Sequence, residues 1–248
     1  FSHFLSRGSI SYEDNVKDIA LMVPHHETGA FIEQVVSQTL NRKVAAKIKE
    51  ENLAYPIKIN NRELLFTMNS LLIGNVVPTM LDNEQKKRVA LHELGHYLVA
   101  RELKYPVSFV SIESRGESHG QAIIAPHESD VITTEKDLEN KIKIFMGGYI
   151  AEKIFYGGCS VGDIGDLQNM HMLYRYLHVL QQRGEDTNYL LGKRADFPKI
   201  DMPKEVLQKY ENEVEGILKK YGKNIENCIK ILTVNGMVHT SELEKILD

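Results

Sequence analysis

With 248 residues, 42% of them hydrophobic, the chain is long enough for one large domain or two small ones with a core each. A formal net charge of −4, from 30 Lys and Arg against 34 Asp and Glu, provides no general attraction to nucleic acid or to an anionic membrane, so neither is expected as a partner. Two isolated cysteines, Cys159 and Cys228, argue against a disulfide framework or a cysteine zinc cluster and fit a soluble, reducing compartment; no run approaches the roughly 18 apolar residues of a membrane span.

The N-terminus, Phe1-Ser2-His3, has neither an initiator Met nor a signal-peptide pattern, and the chain reads as a piece of a longer one. Asp14 to Met22 is a short amphipathic segment stopped by Pro24. A longer helix is expected from Thr28 to Glu51, where Ile32, Val35, Val36, Leu40, Val44, Ala45 and Ile48 recur three or four apart. Pro56 to Ile59 is extended, and Asn60 or Asn61 caps a third helix that runs through Leu64, Leu65, Met68 and Leu72 to Gly74. Residues 1–76 thus form a small helical unit, and Val76 to Asp82, with Pro78, is the expected boundary to a second domain over 80–248.

That second domain opens on a helix from Asp82 to Glu102, started by a capping-box pair, Asp82 and Gln85, and ended before Pro106. Val107 to Ile112 and Gln121 to Ala125 read as two strands of a hairpin around a polar turn. Helices follow over Thr133 to Tyr156 and Asp166 to Gln182. The Gly147-Gly148 pair inside the first suits a close helix crossing, and Gly157-Gly158 ends it. A polar stretch leads to further helices near Lys204 to Tyr221, Ile225 to Leu232 and Ser241 to Leu247. The expected class is mainly α with a small β-hairpin or sheet.

The chemistry concentrates at His92-Glu93-Leu94-Gly95-His96. On a helix, residues four apart share a face, so both imidazoles can converge on one metal ion, while Glu93 reaches a water beside it. A catalytic zinc takes three protein ligands, and H-E-x-x-H-x-x-G-x-x-H fails because positions 99 and 102 are Val and Glu. Glu152, on a downstream helix, is one candidate for the third ligand. Asp166, delivered at a helix N-terminus by the glycine-bearing turn Gly162-Asp163-Ile164-Gly165, is the more attractive one. The charged flanks Lys86, Lys87, Arg88 and Arg101 exclude an intramembrane protease helix.

The run from Lys87 to His96 resembles the start of the FtsH-type ATP-dependent zinc metallopeptidase domain, whose motif is close to A-x-H-E-A-G-H. Further blocks agree in order: Val110 to Gly116, Gly120 to Pro126, Met146 to Glu152 and Ser160 to Gln168. Residues 14–75 are similar to the helical lid that ends an AAA+ ATPase module, with Thr28-Gly29-Ala30 at its helix start. The resemblance implies one zinc per chain held by His92, His96 and Asp166, with Glu93 as the base. It also implies polypeptide substrates, a homohexameric parent anchored on the cytoplasmic face of a membrane, and an ATP-driven motor upstream. Gly192-Lys193 and Gly222-Lys223 lack the remaining residues of a P-loop, so ATP belongs to that missing part.

The strand at Gly120, Gln121, Ala122 and Ile123 is expected to hold substrate in extended form by edge pairing. Three departures from the family pattern stand out: Val161 to Asp166 before the third ligand, Tyr149 in place of Arg, and Phe31 in place of the lid's Asp. They leave room for a second reading, a non-catalytic assembly or adaptor module that retains the peptidase fold.

Overall fold

The computed structural model describes residues 1–6, 10–12, 16–20, 23, 27–50, 55–76, 81–114, 120–124, 133–160, 164–181 and 201–248. The chain divides into two compact units, Phe1–Thr79 with Glu113–Ser118, and Met80–Ile112 with His119–Asp248.

In the first unit, α1 (Ser2–Leu5) and β1 (Ile10–Tyr12) precede α2 (Val16–Ala20), α3 (Gly29–Lys49), β2 (Ile57–Ile59) and α4 (Asn61–Ile73). Asn60 caps α4: its side chain accepts from the Glu63 amide at 2.9 Å and the Glu63 carboxylate accepts from the Asn60 amide at 3.0 Å. Val35 and Val36 of α3 and Leu64, Leu65 and Met68 of α4 are buried, as the spacing of apolar residues demands, whereas Ala45 and Ile48, expected in the same stripe of α3, are exposed. The parallel pairing of β1 with β2, in register Ile10↔Ile57 and Tyr12↔Ile59, was not expected from sequence; three-residue strands carry too little alternation to be read.

The second unit is built around α5 (Asn83–Glu102), with β3 (Val107–Ser111), β4 (Gln121–Ile124), α6 (Glu135–Tyr156), α7 (Ile164–Gln181), α8 (Lys204–Lys219), α9 (Ile225–Asn235), β5 (Met237–His239) and α10 (Thr240–Leu247). Capping boxes begin both long helices, Asp82 with Gln85 on α5 and Thr134 with Asp137 on α6. Every residue of α5 from Ala90 to Ala100 is buried except His92, so the helix is central to its unit rather than a surface helix with one apolar stripe.

The expected hairpin is the β3–β4 pair of a three-stranded antiparallel sheet, order β4-β3-β5, in which Phe109 stands opposite both Ile123 and His239. The third strand was missed because it is three residues long and follows helix α9 after a single glycine. Helix α7 begins two residues earlier than expected, at Ile164.

The crossing of α5 and α6 is made by glycines. A Cβ on Gly95 would lie 2.3 Å from the Gly147 carbonyl oxygen, and one on Gly147 would lie 2.5 Å from that of Gly95, so the two backbones touch directly. Gly157 ends α6 in the left-handed region, φ 74°. At the far end of α5, Arg101 bonds Glu244 at 2.8 Å, Asp248 at 2.7 Å and the Tyr221 hydroxyl at 3.0 Å, and Tyr97 donates to Glu244. Among the described residues, no helix is long and apolar enough to cross a membrane.

Candidate metal centre

Helix α5 puts His92 and His96 one turn apart on the face toward α6 and α7, and Asp166 comes from the first turn of α7. The Nε2 atoms of both histidines lie 3.0 Å from the same Asp166 oxygen, Oδ2, and the three donor atoms fall within 4.8 Å of one another. The rings stand nearly edge to face, 77° apart.

The opposite nitrogens fix what each ring offers. His96 Nδ1 is 2.7 Å from the carbonyl oxygen of Ile144, which can only accept, so the proton sits on Nδ1 and Nε2 presents its lone pair. His92 Nδ1 is 2.8 Å from Oε1 of Glu152, a carboxylate buried completely inside α6. Burial pushes the Glu152 carboxyl up, but hydrogen bonds from His92, Ser160 and Arg88 outweigh it and hold the group below its ordinary value. Ionised, it also accepts, and His92 Nε2 faces Asp166 as His96 does. A carboxylate or carbonyl behind each imidazole is the arrangement that orients histidines on metals.

Electrostatics agree with a cation at this point. Burial opposes the charged form of His92, yet the hydrogen bonds to Asp166 and Glu152 raise it to about 10. Burial likewise opposes ionisation of Asp166, and the two imidazoles win, holding it well below the carboxylate range. A pocket that keeps a proton between these groups also suits a divalent ion in the proton's place. Two neutral imidazoles and a carboxylate are a borderline-soft donor set of the kind zinc takes in catalytic sites, so the residues fit such an ion.

Room for the His92 ring comes from another glycine. A Cβ on Gly148 would sit 2.5 Å from both Cε1 and Nε2 of His92, so the ring lies flat against bare backbone of α6. Glu93 is 8% exposed, and a Cβ on Gly120 would lie 2.7 Å from its Oε1. The main chain just before β4 is thereby pressed against this carboxylate.

Of the residues expected from sequence, His92, His96 and Asp166 come together. Glu152 approaches His92 from behind, on the nitrogen opposite Asp166. Gly120 immediately precedes β4, and Gln121, Ala122 and Ile123 lie in it; among the described residues β4 pairs only with β3 and is an edge. Asp163 falls outside the described residues.

A family model, peptidase family M41, matches residues 79–246. The chain belongs to this family. Among curated relatives, an ATP-dependent zinc metalloprotease FtsH 2 of Sphaerobacter thermophilus is 32% identical over 233 residues, covering 89% of this chain and 34% of the relative. The FtsH 1 protein of the same organism is 30% identical over 174 residues, covering 68% and 25%. FtsH 2 of Symbiobacterium thermophilum is 29% identical over 154 residues, covering 61% and 26%. The chain therefore spans about a quarter to a third of the length of these M41 relatives.

One departure from the M41 pattern now has a structural account. Tyr149 is 8% exposed, and its hydroxyl donates to Glu211 of α8 at 3.2 Å, so it joins α6 to α8. Sequence reasoning missed three groups around the histidines. The Ile144 carbonyl belongs to the main chain and leaves no side-chain signal. Ser160 sits in a loop. Arg88 was readable, standing one helical turn before His92.

Proposed function

We propose that this chain is the zinc-dependent endopeptidase part of a longer ATP-dependent protease. His92, His96 and Asp166 would hold one zinc ion per chain; what carries the reading is the convergence of their three donor atoms with both Nδ1 positions already committed. When bound, zinc acidifies a water and polarises the scissile carbonyl.

Glu93 then serves as general base and afterwards as acid. It stands next to His92 in a largely buried position, where it takes the proton of the attacking water and passes it to the amine that leaves as the peptide bond breaks. Contact between Glu93 and the main chain at Gly120 brings the start of β4 to this base. An extended substrate paired along the edge of β4 at Gln121, Ala122 and Ile123 would present its backbone with little demand on sequence, which suits unfolded polypeptides.

The ATPase motor belongs to the part of the parent protein outside this sequence. Residues 1–76 are read as its helical lid, on the resemblance at Thr28-Gly29-Ala30, and the parent as a membrane-anchored homohexamer on a cytoplasmic face.

The test is elemental zinc per chain together with casein hydrolysis, on wild type, Asp166→Ala and Glu93→Gln. About one zinc per wild-type chain, lost with activity in Asp166→Ala, is expected. Glu93→Gln should keep the metal and lose at least about 100-fold in turnover. Zinc retained without Asp166 would remove it from the ligand set. A metal-free, inactive wild type would favour the non-catalytic assembly module.

A further inference from the structure

We propose that Arg88 is a positioning residue of the metal centre, holding Glu152 from the side opposite His92 and so fixing both that imidazole and Ser160. The inference rests on the metal reading above. Arg88 stands four residues before His92 on the same face of α5. Its NH1 lies 3.0 Å from Oε2 of Glu152 and 3.2 Å from the Gly158 carbonyl oxygen, and its guanidinium carbon is 5.0 Å from the centre of the Tyr156 ring. All three anchors are at the C-terminal end of α6.

Glu152 distributes that hold. Oε1 accepts from His92 Nδ1 at 2.8 Å and from the Ser160 hydroxyl at 2.8 Å, while Oε2 accepts from Arg88 and from the Ser160 amide at 2.9 Å. One carboxylate therefore bonds the first metal-binding histidine and the chain six residues ahead of Asp166. Among the described residues, Arg88 is the only permanent cation paired with this fully buried group.

Removing the cation strands a buried charge, which is costly. Swinging the carboxylate into the space Arg88 occupied relieves that cost but takes the support from His92 and Ser160. The arrangement also brackets His92 along α5. On one side the Gly95–Gly147 backbone contact sets the distance between the helices; on the other, Arg88 ties α5 to the end of α6. With the helices fixed at both points, the ring has little freedom to drift from Asp166.

The experiment measures zinc affinity by competition with a chromophoric chelator, with no reliance on turnover, for wild type, Arg88→Met, Arg88→Gln and Arg88→Lys, and repeats Arg88→Met and Arg88→Gln in a Glu152→Gln background. Either neutral substitution is expected to weaken zinc binding about tenfold, the lower end of the effect of losing an outer partner of a metal ligand. Two neutral variants guard against a folding defect peculiar to one. Arg88→Lys, which keeps the charge, is expected to recover most of the affinity. In the Glu152→Gln background the Arg88 substitutions should have little further effect, because the influence runs through that carboxylate; a purely structural role at Tyr156 and Gly158 would persist there. Wild-type affinity in both neutral variants, no recovery by Lys, or an undiminished loss in the Glu152→Gln background would overturn the proposal and leave the metal centre standing. A wild-type chain that binds no zinc would overturn the metal reading and this proposal together.

Discussion

Two helix pairs in this chain are joined by different means. α3 and α4 meet through side chains: Val35, Val36, Leu64, Leu65 and Met68 are buried, and the Thr39 hydroxyl lies 2.8 Å from both the Val35 carbonyl and the Thr67 hydroxyl. α5 and α6 meet through backbone, with Gly95 and Gly147 too close for a Cβ on either. Side-chain contacts can absorb a small shift by changing rotamer, whereas two touching backbones set the helix spacing rigidly. The pair joined by backbone is the one that carries His92 and His96, whose Nε2 atoms converge on Asp166, and Glu152, which holds His92 from behind; such a cluster needs placement to within tenths of an ångström.

The largest effect is expected where that spacing is set. Gly147→Val pushes a branched side chain into the Gly95 carbonyl, and no rotamer avoids the Cβ clash of 2.5 Å. A stability loss of about 3 kcal/mol, the upper end for overpacking, is expected, with zinc binding lost as α5 and α6 separate; chemical denaturation and metal content check both. Unchanged stability would mean that the crossing is not rigid.

Gly148→Ala sharpens the point by leaving the crossing alone. Its methyl would stand 2.5 Å from Nε2 of His92, the nitrogen turned toward Asp166. The fold is expected to survive, with zinc affinity reduced tenfold or more because the ring must rotate off Glu152. Affinity equal to wild type would show that the ring has room the geometry denies it.

The legible parts of this design were those that a local pattern encodes. The H-E-x-x-H spacing places two imidazoles on one turn of any helix, and Asp82 with Gln85 announces where that helix starts. Gly147-Gly148 signalled a close approach, though not that one glycine serves the helix crossing and the other a histidine ring. Asp166 was preferred to Glu152 on its glycine-bearing turn at a helix N-terminus, and the resemblance pointed to the same residue. What separates their positions is long-range: α6 turns Glu152 toward Nδ1 of His92, and the first turn of α7 delivers Asp166 to Nε2. Strands β1 and β5 were illegible because three residues show no period, and their pairing depends on partners 47 and more than 100 positions away.

In the pair joined by side chains, Thr39→Val keeps the volume and removes a hydroxyl. Thr67 retains its own bond to the Glu63 carbonyl at 3.2 Å, so no buried donor is stranded and the cost is expected at about 1 kcal/mol. Zinc affinity should not change. A loss of zinc with this substitution would break the distinction, since it would mean that side-chain contacts also govern the spacing at the metal centre.

The smallest effect belongs to the far end of α5, where polar side chains take over from backbone contact. The Arg101 guanidinium beside Glu244, helped by the Tyr97 hydroxyl and opposed by burial, holds that carboxyl below its ordinary value; Asp248 and Tyr221 share the same guanidinium. A carboxyl with a depressed folded-state pKa contributes stability that is fully present above its unfolded value, near 4.5, and is lost as pH falls through the folded one. Glu244 is 37% exposed, so solvent screening limits the contribution to roughly 0.5 kcal/mol. Arg101→Met should therefore lower the melting temperature slightly at pH 7, and the gap from wild type should close as the pH falls below about 4. A gap that stays constant with pH would assign the role of Arg101 to its packing over the Tyr221 ring, 5.7 Å away, and this end of α5 would then be held, like α3 and α4, by shape rather than charge.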